Sequence, residues 1–325
     1  MQPESPLPDA ARLAAAETLV RQALPPTPQY RWPLLEAAAG CEVWVKHENH
    51  TPLGAFKVRG GLVYLEALRR RRPELAGVIA ATRGNHGQSI AFAARRLGLK
   101  AVIVVPQGNA REKNAAMRAL GAELIEAGSD FQEALEAAQA RARQEGLHPV
   151  PSFHPDLVAG VASLSLELLR AAPALTRLYV PIGLGSGLAG AAAARAALGH
   201  PVELVGVVSS GAPAYLHSLR EGRAVSAAVD TQLADGMACR TPDAAALPIV
   251  AREAARLVAV SDREVAEAMR LLFRTTHNVA EGAGAAALAA LLQEGAAPGE
   301  RVGLVLSGGN VDSDLFARVL SGDPL

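Results

Sequence analysis

"RLYVPIGLGSGLAGAAAARAAL", residues 177–198, passes from a short apolar run through a glycine-rich turn into an alanine-rich helical pattern. The run 177–182 reads as a buried parallel strand and 186–198 as the helix that follows it. Gly183, Gly185 and Gly187 let the backbone turn tightly between the two, and Ser186 supplies a hydroxyl. The helix behind the turn offers free N–H groups and a positive dipole end, which is the physical recipe for holding a phosphate. The glycine spacing does not give G-x-G-x-x-G and no lysine follows as in a P-loop, so a compact phosphate ester is favoured over a dinucleotide or nucleoside triphosphate. Such a turn also serves elsewhere as a plain connector, so alone it leaves both readings open.

The same unit recurs along the chain. Runs at 77–81, 101–105, 122–127, 202–208 and 301–306 read as further strands, with helical patterns at 86–97, 111–120, 130–145, 261–273 and 283–293. Strand–helix alternation with near-continuous apolar strands predicts an α/β fold of open, mostly parallel sheets flanked by helices. The close packing of units between 77 and 146 predicts two lobes, a smaller one over 55–154 and a larger one built from 1–54 and 155–325. The proline-rich "LPPTPQYRWP" (24–33) cannot be regular helix and is expected to wrap over the surface. Arg69 to Arg72 read as the solvated end of a helix, favourable against its dipole.

Bulk properties exclude several classes. The chain has 325 residues and 32 acidic against 32 basic side chains, so no basic field points to nucleic acid or an anionic membrane. Two cysteines, Cys41 and Cys239, are too few for a disulfide framework. The start "MQPESPLPDA" lacks the charged and apolar pattern of a signal peptide, and no apolar run is long enough for a membrane span, so a soluble cytoplasmic protein is expected.

Two other polar motifs also follow apolar strands. "TRGNHGQS" (82–89) puts Asn85, His86 and Gln88 at a helix N-terminus, suited to a carboxylate or phenolate, with Asn85 as an ordinary cap the lesser alternative. "LSGGNVD" (306–312) offers the Ser307 hydroxyl beside Gly308 and Gly309, which permit close approach of a flat ligand. Lysine is scarce: 28 of the 32 basic residues are arginine, leaving Lys46, Lys57, Lys100 and Lys113. Lys57 follows Ala55-Phe56 and lies between Gly54 and Gly60-Gly61, where its amine can be desolvated and its pKa lowered, as imine chemistry requires. A snorkelling surface lysine is the bland alternative.

Together these stretches resemble the pyridoxal-phosphate enzymes of the tryptophan-synthase-β fold type (fold type II), specifically the threonine/serine dehydratase and serine racemase branch. "KHENHTPLGAFKVRG" looks like that branch's lysine signature, "RGNHGQS" its Ser-x-Gly-Asn-His-x-Gln loop, "PIGLGSGLAG" its phosphate loop and "LSGGN" its pyridine-nitrogen loop. "LADGMA" (233–238) and "AEGAGAAALAA" (280–290) fall where the family has Ala-Asp-Gly and Glu-x-x-Gly segments. The resemblance implies that Lys57 holds pyridoxal 5'-phosphate through an imine and later moves the Cα proton. It places Phe56 against the cofactor, Asn85 on the phenolic oxygen, and Gly183, Leu184, Gly185, Ser186 and Gly187 around the phosphate. Ser307 would face the pyridine nitrogen, Glu281 would sit near the ring, and amides around Arg83, Gly84, Asn85 and His86 would take the substrate α-carboxylate. A neutral hydroxyl at the pyridine nitrogen weakens the electron sink and favours loss of a β-leaving group. The implied reaction is dehydration and deamination of threonine or serine to a 2-oxo acid and ammonia by a homodimer. Alternatives are the same chemistry on 3-hydroxyaspartate or a 2,3-diamino acid, serine racemisation, or a non-catalytic phospholigand-binding protein.

The chain departs from the branch in three places. Arg83 stands where racemases carry a serine as second base, and arginine cannot be deprotonated. Ala55 replaces a usual serine, and Leu184 and Ser186 interrupt a loop often made of four glycines. Members that bind a divalent cation have acidic residues after the strand equivalent to 202–208, whereas Val207 to Ser218 contains none, so no metal is expected.

Overall fold

Strands that are apolar along their whole length must be covered on both faces, and that requirement organises the molecule. The structure, a computed structural model, describes residues 7–297 and 299–324. Its strands are β1 (Gln29–Arg31), β2 (Glu42–His47), β3 (Gly77–Ala81), β4 (Lys100–Val105), β5 (Glu123–Glu126), β6 (His148–Pro149), β7 (Arg177–Pro181), β8 (Glu203–Ser209), β9 (Arg256–Val260) and β10 (Arg301–Leu306). Helices α1 (Ala10–Arg21), α2 (Pro33–Ala39), α3 (Lys57–Arg71), α4 (Asn85–Arg96), α5 (Arg111–Ala119), α6 (Phe131–Glu145) and α7 (Pro155–Ala171) alternate with the first strands. Helices α8 (Ser186–Leu198), α9 (Ala214–Glu221), α10 (Ala246–Glu253), α11 (Asp262–Thr276), α12 (Gly282–Glu294) and α13 (Ser313–Ser321) complete the order.

Two sheets result. One has six strands in the order β1-β2-β10-β7-β8-β9, parallel except for the antiparallel pair β1–β2, and the other is a parallel sheet of four in the order β5-β4-β3-β6. One apolar core runs from Ile103 on β4 through Ile90 of α4, Leu65 of α3, Leu164 of α7 and Leu188 of α8 to Leu204 on β8. The alanine-rich α12 covers the other face of the six-stranded sheet, and α6 covers the other face of the four-stranded one.

The strand orders place the site. From β7 the chain winds outward to β8 and β9, while β10 returns on the opposite side of β7. From β3 it winds to β4 and β5, while β6 returns on the other side. Each reversal opens a crevice beyond the carboxyl ends of neighbouring strands, where ligands of such sheets bind. The loops after β7, β10 and β3 are the three polar motifs singled out from the sequence.

The expected strands and helices are present, with ends that coincide or differ by at most three residues. Two expectations need correction. The stretch 24–33 does not merely wrap the surface: 29–31 pair as an edge strand, and Leu24 and Thr27 are buried. Strands β2, β6 and β9 also lie outside the expected set. β2 carries Lys46 and His47 yet is buried, because tertiary partners satisfy the ammonium. Lys46 Nζ donates to Thr27 O at 2.6 Å and pairs with Glu167 Oε2 at 2.5 Å.

That pairing belongs to a buried ionic cluster under α3. The Arg59 side chain is fully buried, with Nε 2.7 Å from Glu48 Oε2 and Nη1 2.5 Å from Glu167 Oε1 and 2.9 Å from Ser163 Oγ. Breaking such a cluster strands a buried charge, at about 3–5 kcal/mol. Arg59 lies two residues beyond Lys57, so this cluster pins the start of α3 to α7. A second device links α5 to α13. The Asp312 carboxylate accepts from the Arg111 and Glu112 amides at 2.9 and 3.0 Å, and the Glu112 carboxylate accepts from the Ser313 amide at 2.8 Å. Each acid thus caps the other's helix start.

Candidate active site

Lys57 is the first residue of α3, and the turn before it is rigid: Thr51 Oγ1 accepts from the Ala55 amide and donates to its carbonyl, both at 2.9 Å. The Phe56 amide donates to Ser307 O at 3.0 Å, tying the lysine turn to the end of β10. The Lys57 amine points inward, donating to Ser186 Oγ at 3.0 Å and lying 4.8 Å from the Phe56 ring centroid. Burial pushes its pKa down to about 8. The snorkelling alternative does not apply.

Ser186 opens α8, whose first amides have no partner within the helix. Gly185 before it has φ 94°, a left-handed conformation that side chains rarely adopt. A Cβ on Gly183 would stand 2.4 Å from Gly236 O, so the turn and the segment around Asp235 approach as backbone against backbone. A row of free amides, a hydroxyl and no intruding side chain is a cradle that fits a phosphate.

On the opposite wall, Thr82 Oγ1 accepts from the Gly84 and Gly87 amides at 2.9 and 3.2 Å and so caps α4. Asn85 is therefore not the cap. Its amide donates to Glu281 Oε1 at 2.6 Å and its carbonyl accepts from Asn310 Nδ2 at 2.9 Å. His86 is buried with Nε2 unpartnered, and burial, assisted by the Lys57 charge, pushes its pKa down to about 3, so the imidazole is neutral. The Arg83 Nε is likewise buried without a hydrogen-bond partner, and among the described residues its guanidinium makes no ion pair. It does not pair with an acid across the cavity.

Lys113 of α5 enters from above Gly84, its Nζ 2.6 Å from Asp235 Oδ2 and 3.1 Å from Glu281 Oε2. Burial opposes its charge, but the two carboxylates outweigh it and hold the ammonium's pKa above the ordinary range. For Glu281 burial wins over Lys113, and its carboxyl is raised. Cys239 is inert: burial pushes its thiol up to about 12.

Most of these groups line one cavity, with ≈ 150 Å³ open to the centres of water molecules, and Asn310 stands behind it on Asn85. The structure brings together Phe56, Lys57, Arg83, Gly84, Asn85, His86, Gly183, Leu184, Gly185, Ser186, Gly187, Glu281 and Ser307, whereas Gln88, Gly308 and Gly309, also singled out from the sequence, do not line the cavity. Sequence reasoning missed Thr82, Lys113, Asp235 and Asn310. Lys113 carried a usable signal, being one of only four lysines.

A low-pKa amine beside a phosphate cradle, with a helix start facing it across two α/β sheets, defines a site for an aldehyde cofactor bearing a phosphate. The chain belongs to the pyridoxal-phosphate dependent enzyme family, whose pattern matches residues 20–308. It is 35% identical over 292 residues to an L-threonine ammonia-lyase of Thermotoga maritima, covering 89% of this chain and 72% of that one. It is 34% identical over 298 residues to an L-threo-3-hydroxyaspartate ammonia-lyase of a Pseudomonas species, covering 91% and 93%. Among solved structures it resembles a T.th. threonine deaminase, with TM-score 0.87, 33% identity and coverage of 94% and 99%. Fold class and cofactor family thus agree with the expectation from the motifs.

Proposed function

We propose that this chain is a pyridoxal-phosphate-dependent lyase that removes the β-hydroxyl and α-amino groups of threonine or serine, releasing a 2-oxo acid and ammonia. The observation that carries the reading is the Lys57 amine, set 3.0 Å from Ser186 Oγ where the phosphate turn meets the start of α3. The names of the similar proteins point the same way.

When bound, the cofactor supplies a sink for the electron pair left as Cα loses its proton. Lys57 would hold the cofactor and take that proton. Gly183, Leu184, Gly185, Ser186 and Gly187 would hold its phosphate, Phe56 would flank it, and Asn85, Glu281 and Ser307 would contact its ring. Ser307 is a neutral hydroxyl and enforces no extra positive charge there, which favours departure of the β-hydroxyl. The α4 start would take the substrate α-carboxylate through its amides. Arg83 offers no second base, so proton transfer stays on the Lys57 face and elimination is favoured over racemisation.

The strands of each sheet suggest a smaller lobe at 55–154 and a larger one from 1–54 and 155–325. The enzyme would act as a cytoplasmic homodimer without a divalent cation. No helix of the described residues is long and apolar enough to cross a membrane. Exposed Tyr30 and Leu34 are apolar side chains that a second copy could cover.

The test is ammonia and 2-oxo acid release from threonine, serine and a 2,3-diamino acid, with and without EDTA, by wild type and Lys57→Ala. Chelation should leave turnover unchanged, and the variant should keep its fold and lose both the cofactor absorbance band and turnover. A wild type that binds the cofactor yet releases no ammonia, or a variant retaining more than a few per cent of activity, would overturn the reading.

A further inference from the structure

The start of α4 can serve one carboxylate and no more. The Gly84 and Gly87 amides are taken by Thr82 Oγ1, and the Gln88 amide is taken by Gly84 O at 2.9 Å. That leaves the Asn85 and His86 amides, two donors matched to a single α-carboxylate. Among the described residues the cations around the cavity are also committed, with one exception. Lys113 pairs with Asp235 and Glu281, and Arg240 pairs with Asp130 at 2.5 Å. Lys57 donates to Ser186 and is reserved for the cofactor. Arg83 lines the same cavity with its Nε buried and unpartnered, and no acid among the described residues neutralises it. Beside it the buried His86 Nε2 also lacks a partner.

A guanidinium partly removed from water with no counter-ion is unfavourable in the empty protein. Its fork matches a carboxylate bidentately, and an anionic ligand reverses the unfavourable term. We propose that Arg83 selects amino acids carrying a second carboxylate on the β-carbon, so that the preferred substrate is a β-hydroxy dicarboxylic amino acid. The inference rests on the elimination reading above and moves its preferred substrate from threonine or serine to a dicarboxylic relative. Such a substrate loses water across Cα–Cβ, and hydrolysis of the product returns that water, so the net products are a 2-oxo dicarboxylic acid and ammonia. No oxidant or reductant is consumed.

The test compares L-threo-3-hydroxyaspartate with L-serine on purified holoenzyme, following ammonia release for wild type, Arg83→Ala and Arg83→Gln. Wild type should prefer the dicarboxylic substrate, and both variants should lower the ratio of the two kcat/KM values by roughly 10- to 150-fold, the range for losing a charge-assisted contact. A ratio that does not change overturns the proposal, and so does an equal loss on both substrates, which would put the guanidinium on the α-carboxylate. A second readout is independent of turnover: titration of the cofactor absorbance with L-aspartate and L-alanine, neither of which carries a β-hydroxyl. Wild type should bind aspartate at least tenfold more tightly, and the variants should lose that margin. If no substrate releases ammonia but the aspartate margin is present and depends on Arg83, the elimination reading fails and the specificity stands. If ammonia is released with no margin, the reverse holds.

Discussion

Replacing Lys113 by methionine keeps most of its volume and deletes the ammonium between Asp235 and Glu281. Asp235 is partly open to water, but the Glu281 side chain is 3% exposed and would be left as an uncompensated buried carboxylate. Stranding one member of a buried pair costs about 3–5 kcal/mol. At roughly 2.1 cal/mol/K of unfolding entropy per residue, 325 residues give about 0.7 kcal/mol/K, so the loss is about 4–7 °C in Tm. Its pH dependence is the sharper signature. Burial already raises the Glu281 carboxyl above its ordinary value of 4.5, and loss of the nearby cation raises it further. A carboxyl whose folded pKa exceeds its unfolded one holds more protons folded than unfolded, so stability falls as pH rises above that unfolded value. Thermal melts of the apoenzyme should therefore show a deficit that is largest at alkaline pH and shrinks on acidification as Glu281 protonates. Lys113→Met combined with Glu281→Gln should recover most of it. A variant melting within about a degree of wild type at pH 8, or a deficit that grows on acidification, would refute the reasoning.

Two further outcomes follow from the site. The Lys57 amine, held down to about 8 by burial, should react with added cofactor aldehyde once deprotonated, so reloading of apoenzyme should accelerate through about pH 8 and then level off. A midpoint near the 10.5 of an ordinary lysine would contradict the burial described. Gly183→Ala would drive a Cβ to 2.4 Å from Gly236 O, so the cradle must shift; cofactor affinity measured by absorbance should fall at least tenfold while the far-ultraviolet circular dichroism stays unchanged. Unaltered affinity would show that the loop yields more easily than backbone-to-backbone contact allows.

Strands that are apolar throughout, such as β3, or past their first residue, such as β10, are legible because burial on both faces leaves no other pattern. β2 is not: its Lys46 and His47 read as polar until the chain brings Glu167, more than a hundred residues away, against the ammonium. β9 is hidden because "AREAARLVAV" (251–260) continues a helical composition straight into the strand. The three loops were legible since each follows an apolar run at a strand's carboxyl end. Their mutual arrangement depends on the two strand-order reversals, which no local pattern encodes. Lys113, counted among the four lysines, was not placed at the site because "REKNAAMRAL" reads as an ordinary solvated amphipathic helix and its two acids lie beyond residue 230. Arg83 was visible as a departure from a motif, while its lack of a counter-ion could only be read from the folded chain.

The lysine inventory has a practical consequence for anyone attaching this protein to a surface or a dye. Lys46 and Lys113 are sealed inside ion pairs, and Lys57 faces the cofactor cavity. Lys100 is left, with its side chain 48% exposed beside Glu123 and Glu145 at the N-terminal end of β4 in the smaller sheet. With the cofactor in place, an amine-reactive ester finds one lysine, apart from the chain's own α-amine. Molecules coupled through that side chain would be held by a site remote from the chemistry, without any engineered cysteine.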